Sequence, residues 1–248
     1  EIIYTLKTCC KLISLLPLTQ QQPQIGNIIG FVLGIMVQEV CFVLIAVIGS
    51  VLARGPCFRF YGNGSLVFED NLDIASRASF EFEFETKNDG GLIYYAEGLY
   101  QKEIAYDFEG VFLSDGILHY FLFNPTVFGA GSSFGFHGRS HDKLNDGKWH
   151  KVRFFRNIEM EEDVDGKKAK VPVTGLAVDN VTVAKDARER RWLDLGNTLW
   201  IGGNSQLQER MGNGIGGFKG RIRNFMETRL NHVFETNIRN IDVRRCTD

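Results

Sequence analysis

Hydrophobic and polar residues alternate in many short segments after residue 53. The clearest is residues 79–86, where Phe80, Phe82 and Phe84 are separated by glutamates. Successive side chains of a β-strand point to opposite faces, so this alternation predicts a strand whose phenylalanines are buried and whose glutamates face solvent. A row of glutamates could also supply the paired carboxylates of a glycosidase, but an exposed strand face is the simpler interpretation.

Short turn sequences separate these segments. Asp115-Gly116 and Asp179-Asn180 each lie between two alternating segments, as the loop of a hairpin does. The sequence Asn-Asp-Gly at 145–147 precedes another such segment. Helical periodicity is absent after residue 53, so the glycine-rich residues 128–140 and the charged residues 159–170 are predicted to be loops.

The series of short strands predicts the fold class. Several antiparallel strands joined by tight turns indicate an all-β protein, an antiparallel two-sheet β-sandwich. We assign residues 54–248 to one such domain and residues 1–53 to a separate N-terminal segment. The side chains that we expect to be largely buried are Phe80, Phe82, Phe84, Trp149, Trp200 and Phe218.

The N-terminal segment is hydrophobic in its second half. Residues 40–53 have the length of the apolar region of a signal peptide and end in Val51-Leu52-Ala53, which suits cleavage by signal peptidase. The longer stretch 25–53 could instead span a bilayer as an anchor, although Glu39 would cost about 3 kcal/mol there. We favour the cleaved signal peptide. Both interpretations place the rest of the chain across a membrane.

The cysteines and the glycosylation motifs agree with export. Of the five cysteines, only Cys57 and Cys246 would remain after cleavage at Ala53. Two cysteines in a secreted chain indicate one disulfide; alternatively, each pairs with a cysteine of a longer protein. Asn63 and Asn180 each begin an Asn-x-Ser/Thr sequon, the acceptor motif for N-linked glycans.

Charge excludes one class of partner. The formal net charge is −2, so the chain has no global electrostatic reason to bind nucleic acid. Residues 188–191 (RERR) form a local basic group with Lys167, Lys168 and Lys170. This group is either a solvated turn or a binding site for anionic glycans.

Three motifs that could carry chemistry lack the context that the chemistry requires. Residues 212–217 match G-x-G-x-x-G, but a strand-like segment follows them instead of the helix that would hold a dinucleotide pyrophosphate. Residues 161–166 resemble the start of an EF-hand loop, but Pro172 stands where a bidentate Glu is required. His137 and His141 are four residues apart, yet the neighbouring glycines argue against a helix that would align them on zinc.

Several short motifs occur in the order in which laminin G-like (LNS) domains carry them. Residues 146–153 (DGKWHKVR) resemble the family signature D-G-x-W-H-x-V-x. The further matches are GLIYY at 91–95, DF at 107–108, LAVD at 176–179, LWIGG at 199–203 and GFKGRIR at 217–223. The resemblance covers residues 58–243. Arg156-Asn157, which follows the Trp-His strand, is similar to neurexins in particular.

The resemblance implies a jelly-roll (concanavalin A-like) β-sandwich that binds partners through loops at its rim and is not an enzyme. Many such domains hold one Ca²⁺ there. Asp107 falls on the family's calcium aspartate, and a backbone carbonyl near Asn124 would be the second ligand. The family's other side-chain ligand would lie near Gly216, which has none, so Asn213 would have to replace it. Since Ca²⁺ binds six to eight oxygens, we expect a weak site; alternatively, Asp107 only caps a strand.

The resemblance also implies two features of this chain in particular. Arg221 stands where the family often has a cysteine, so the usual C-terminal disulfide is absent in its standard form. Residues 159–172 lie where neurexins carry a splice insert, which makes them a candidate specificity element.

Two functions from different classes follow. The first is a neurexin-like extracellular adhesion or receptor module that binds a cell-surface protein through calcium-influenced rim loops. The alternative is a module that binds heparan sulfate or matrix glycans, and a sandwich-fold glycosidase is a third possibility. We expect the protein to be secreted or on the extracellular face of the plasma membrane, with membrane contact only through an N-terminal anchor or a missing C-terminal segment.

Overall fold

The computed structural model describes residues 55–69, 72–74, 77–98, 107–124, 135–162, 165–187, 195–203, 215–235 and 238–247. Contacts between Cα atoms divide the chain after Ala53, and all of these residues belong to the second unit, Arg54–Asp248. The predicted signal peptide or anchor therefore lies outside the described residues. Where the chain is described, it has no helix with the length and apolar character needed to cross a membrane.

Two antiparallel sheets make up the described part of this unit. In the order of neighbouring strands, the first sheet comprises β10 (Val181–Asp186), β9 (Lys168–Val178), β8 (His150–Glu162), β3 (Ala78–Glu85), β12 (Lys219–Glu227), β1 (Cys57–Tyr61) and β15 (Arg244–Arg245), with β13 (His232–Val233) beside β12. The second comprises β14 (Ile238–Ile241), β2 (Ser65–Phe68), β11 (Leu195–Gly202), β4 (Gly91–Gly98), β5 (Phe108–Ser114), β6 (Ile117–Phe123) and β7 (Phe136–Lys143). The predicted all-β, two-sheet sandwich is confirmed.

The core between the sheets is built largely from aromatic rings. Phe80, Phe82 and Phe84 of β3 are fully buried, as the alternation predicts. The Phe80 and Phe154 rings stack with centroids 5.1 Å apart, and Tyr94 of the opposite sheet lies 4.7 Å from Phe154. Rings at these separations attract each other in addition to burying apolar surface, so β3 is held from its own sheet and from the facing one.

The two predicted hairpin turns are present. Asp115 and Gly116 have positive φ angles of 52° and 77°, and Asp179 and Asn180 have 49° and 66°. Two consecutive residues with positive φ angles form the type of hairpin turn whose twist matches that of the flanking strands. Asp, Asn and Gly tolerate this conformation better than other residues, which is why these sequences connect β5 to β6 and β9 to β10.

The Trp-His motif joins two turns. His150 contacts the Asp179 carboxylate through Nδ1 at 2.9 Å and the Asp146 carboxylate through Nε2 at 3.0 Å. Hydrogen bonds from Lys148, first from its backbone, and then from His150 hold the pKa of Asp146 well below its usual range. The motif therefore fixes the Asn-Asp-Gly turn against the β9–β10 hairpin.

A disulfide joins the first and last parts of the sheet. Cys57 of β1 is bonded to Cys246, which follows β15. The Cys246 N–H also donates to the Cys57 carbonyl at 2.9 Å. The intramolecular pairing is therefore present in the structure. A bond that closes so long a segment of chain restricts the unfolded state strongly.

Three expectations about individual segments are wrong. Trp149 and Trp200 are half-buried, because both lie on outer faces: Trp149 contacts the Arg223 guanidinium at 4.0 Å, and Trp200 contacts Tyr95 at 5.9 Å. Residues 136–140, predicted as loop, belong to β7. The charged residues 159–170 are mostly strand, since the pairing of β8 with β9 continues to Glu162 and Lys168.

Candidate functional site

The two described residues of the expected calcium site lie side by side at one rim of the sandwich. Asp107 directly precedes β5 and Asn124 directly follows β6, and the strands pair Phe108 with Phe123. Asp107 and Asn124 are therefore neighbours across the hairpin, and both are buried, with 7% and 4% of their surfaces exposed. Asn213 lies outside the described residues.

The donor set at this rim fits a hard cation only in part. Asp107 supplies a carboxylate and Asn124 an amide and a carbonyl, which are oxygen ligands of the kind that Ca²⁺ prefers. Gly216 is remote from this rim: its carbonyl accepts the Leu92 N–H at 2.9 Å near the start of β4, whereas the Asp107 carbonyl accepts the N–H of Gly98, the last residue of β4. Among the described residues, no three His, Cys, Asp or Glu side chains are grouped closely enough to hold a metal ion. Such a set suits weak binding.

A buried ion pair lies directly beneath the rim. Glu109, two residues after Asp107, accepts a hydrogen bond from Arg156 Nε at 3.1 Å, and the two side chains are only 1% and 7% exposed. The Tyr94 and Tyr120 hydroxyls donate to the same carboxylate at 2.8 and 3.0 Å. Burial, and then the charge of Glu109, raises the pKa of both tyrosines well above the usual value. They therefore remain protonated donors.

Arg156 also connects the rim to two other segments. Its Nη2 donates to the Ile74 carbonyl at 2.6 Å, which holds residues 72–74 against the end of the sandwich. Arg156 is the last residue of β8 that pairs with β3, opposite Ala78. Sequence reasoning missed this network, although a visible signal existed: Arg156 continues the inward positions of Val152 and Phe154.

Beyond Arg156, β8 and β9 continue as a two-stranded ribbon, which we call the arm (157–162 and 168–173). The pairing of β9 with β10 ends at Thr174, so within the described structure no further strand flanks the arm. Ile158 and Met160 are on its inward-facing side, yet 39% and 58% of their surfaces are exposed. On the other side, Lys185 bonds to Glu159 at 2.7 Å. The arm thus presents an apolar face next to the Asp107 rim.

The backbone edges of the arm are protected. Pro172 lies opposite Ile158, and because proline has no N–H, it fits only where its nitrogen points away from the neighbouring strand. The Ile158 N–H donates to the Asn157 side chain at 2.8 Å. Both features oppose the addition of another strand. Recognition by the arm would therefore use its side chains rather than its backbone.

The glutamate face of β3 is neutralised by cations. Lys151 bonds to Glu81 at 2.8 Å, and Arg223 Nε bonds to Glu83 at 2.9 Å. Arg221 pairs with Glu85. Each carboxylate has its own basic partner on a neighbouring strand, so this face is an array of ion pairs and does not present a pair of free carboxylates.

Three arginines follow one another across the same face, which we call the arginine row (Arg244, Arg59 and Arg221). Arg59 of β1 is directly opposite Arg221 of β12 and directly opposite Arg244 of β15. Where the structure is described, Arg221 has Glu85 as its acidic partner, whereas Arg59 and Arg244 have none. Like charges directly opposite each other destabilise a sheet. The row is therefore a surface on which an anion would relieve repulsion.

The remaining candidate residues are on the surface or outside the description. Asn63 and Asn180 are both exposed, in the turns after β1 and β9. Lys167, Lys168 and Lys170 are exposed at the end of the arm. The basic residues 188–191, and the first half of the G-x-G-x-x-G motif (212–214), lie outside the described residues.

Comparison with known proteins gives a consistent family. The family model described as Laminin G domain matches residues 84–226. No curated protein sequence gives a significant match. Domains LG4-5 of the mouse laminin alpha1 chain are similar in structure, with a TM-score of 0.58 and 20% identity over 77% of this chain and 46% of that one.

Two further solved structures have comparable likeness. The LG1-3 region of the laminin alpha2 chain has a TM-score of 0.50 and 19% identity, covering 77% of this chain and 34% of that one. The SAP-like pentraxin from Limulus polyphemus has 0.51 and 12%, covering 77% of this chain and 94% of that one. At these identities the likeness shows the shared fold. The chain spans less than half the length of either laminin structure.

Proposed function

Because this chain belongs to the laminin G domain family, we propose that it is an extracellular binding module, neurexin-like in recognising a cell-surface protein. Laminin G domains commonly bind extracellular proteins and glycans, and they are typically binding modules rather than enzymes. The observation that carries the proposal is the exposed apolar face of the arm, Ile158 and Met160. A soluble domain that leaves two large apolar side chains exposed on a projecting ribbon has a surface suited to a protein partner.

The arm gives the proposal a direct test. We expect the double substitution Ile158→Thr, Met160→Thr to weaken binding of the purified chain to cultured cells at least tenfold, because it removes the apolar contact while keeping strand-forming residues. Flow cytometry on cells treated with trypsin or with heparan sulfate lyase separates protein from glycan receptors. Trypsin should abolish binding and the lyase should not.

Val181 provides a matched control for this experiment. It is 63% exposed and also apolar, but it lies at the tip of the β9–β10 hairpin, away from the arm. Val181→Thr should leave binding unchanged. Equal losses from the arm and the control variants would contradict a specific role for the arm.

We also propose that Ca²⁺ binds at the rim through Asp107, with the Asn124 region as a second contributor. Titration calorimetry of the purified full chain should show a dissociation constant of roughly 10⁻⁴ to 10⁻³ M, typical of extracellular sites with few carboxylates. Asp107→Ala should abolish the heat of binding. Asp142→Asn, which changes an exposed carboxyl group on β7, should leave it intact. A folded wild-type protein that gives no heat at millimolar calcium would rule the site out.

Export is the third part of the proposal. Cells that express the full chain are expected to release a product whose N-terminus lies close to Arg54, as cleavage near Ala53 requires. Glycosidase digestion should lower its apparent mass, and Asn63→Gln and Asn180→Gln should each remove one glycan. N-terminal sequencing and gel mobility report these outcomes. A product retained in the membrane would instead support the anchor.

The second candidate function is binding of sulfated glycans, and the arginine row is the observation that favours it. Two of its three cations have no acidic partner in the described structure, which leaves them available to sulfate groups. We therefore base this candidate on the arginine row, and not on the basic group of residues 167–170 and 188–191 that the sequence predicted.

A further inference from the structure

Two histidines form a close pair on the outer face of the second sheet. His119 of β6 and His137 of β7 are diagonal neighbours, because the register pairs His119 with Arg139 and Phe121 with His137. His119 Nδ1 lies 2.9 Å from His137 Nε2. The pair is open to solvent and is separate from the rim, the arm and the arginine row.

Aromatic neighbours hold both rings. The imidazole of His119 stacks on Phe112, with centroids 5.0 Å apart and planes 5° apart. His137 meets the edge of Phe121 at 5.7 Å. The sheet surface therefore supports both imidazoles beside each other.

The short distance between the nitrogens fixes their protonation. One nitrogen must donate an N–H and the other must accept it, so the two atoms share one proton and at least one ring is neutral. Neutral imidazole is the form that binds metal ions, and a metal ion would take the place of the shared proton.

We propose that His119 and His137 together bind a divalent transition-metal ion, Cu²⁺ in preference to Zn²⁺. Two nitrogens that each lie about 2.0 Å from a metal are about 2.8 Å apart in square-planar geometry and about 3.3 Å apart in tetrahedral geometry. The observed 2.9 Å is a hydrogen-bond distance that lies close to both separations, so the preference for Cu²⁺ rests on its higher affinity for a given set of nitrogen ligands. Both rings must turn about their Cβ–Cγ bonds to direct their lone pairs at one ion, and this torsion is shallow for histidine.

The rest of the coordination sphere is water. No third His, Cys, Asp or Glu joins a metal-binding group in the described part of the chain, so the site is open on its solvent side. The cation of Arg139, opposite His119, lowers the affinity for a positively charged ion. The resulting site is an open, two-ligand site.

Titration of the purified full chain with Cu²⁺, followed by calorimetry and by electron paramagnetic resonance, tests the proposal. We expect one ion per chain, with hyperfine coupling to two imidazole nitrogens. His119→Ala and His137→Ala should each weaken binding at least tenfold and leave one coupled nitrogen. Zn²⁺ should bind more weakly than Cu²⁺ at the same pH.

His141 provides the control, since it is an exposed histidine of the same strand outside the pair. His141→Ala should change the affinity less than twofold. His137 is exposed, so its replacement should leave the thermal unfolding curve unchanged and the result interpretable. Unchanged Cu²⁺ affinity in folded His137→Ala, or the absence of Cu²⁺ binding by the wild-type protein, would overturn the proposal.

Discussion

Arg156→Met is expected to lower the free energy of unfolding by about 3–5 kcal/mol, because it leaves the buried Glu109 carboxylate without its cationic partner. The substitution keeps a long unbranched side chain, so little of the effect would come from a cavity. Loss of the bond to Ile74 adds to the destabilisation, and it would also release residues 72–74 from the rim. Urea denaturation of the purified full chain, followed by tryptophan fluorescence, measures the change.

Two controls identify the buried charge as the cause. Arg153→Met alters an arginine of the same strand that lies over the Phe155 ring and faces outward, so it should cost less than about 1 kcal/mol. Adding Glu109→Gln to Arg156→Met should recover part of the loss, because the unpaired charge is then removed. If Arg156→Met and Arg153→Met were equally mild, the pair would not be a significant contributor to stability.

The fold was predictable because its strands have clear local signals. The alternation around Phe82 and the turns at Asp115 and Asp179 each specify structure without help from distant residues. The predicted burial of the tryptophans was wrong for a related reason. A large side chain favours burial, but its odd or even position along a strand decides which face of the sheet it occupies. Trp200 lies between the inward-facing Leu199 and Ile201, so its place on the outer face follows from period two.

The arm was predicted to be a loop because its many charged residues are typical of a solvent-exposed segment. The alternation of Ile158 and Met160 with Glu159 and Glu161 is short, and the charged residues that follow have no strand periodicity. The buried pair of Glu109 and Arg156 was missed because charged residues are expected on the protein surface. The partnership between His119 and His137 depends on the β6–β7 register, which no local pattern in the sequence specifies.

The arm and the arginine row lie at opposite ends of the same strand, β3. Arg156, the residue before the arm, lies opposite Ala78, the first residue of β3, and Arg221 of the arginine row lies opposite Glu85, its last residue. At about 3.3 Å per residue, the two ends are about 23 Å apart. A protein partner at the arm and a glycan at the row would not compete for the same space, so substitutions at one surface should leave binding at the other intact.

The double substitution Arg59→Ala, Arg244→Ala is expected to weaken heparin binding at least tenfold at low salt, because it removes two cations that have no acidic partner among the described residues. The slope of log K against log salt concentration should become less steep by about two, one for each cation removed. Calorimetry or surface plasmon resonance at several salt concentrations measures both quantities.

The same double substitution should increase the stability of the fold while it weakens heparin binding. Removing like charges that face each other across β1 and β15 should raise the free energy of unfolding by a few tenths of a kcal/mol. Lys168→Ala, Lys170→Ala is the matched control, since it removes the same charge from the end of the arm and should weaken heparin binding much less. An equal loss in both variants would mean that heparin responds to net charge alone. A loss of binding together with a gain in stability would identify the arginine row as a surface retained for an anionic ligand at the expense of the fold.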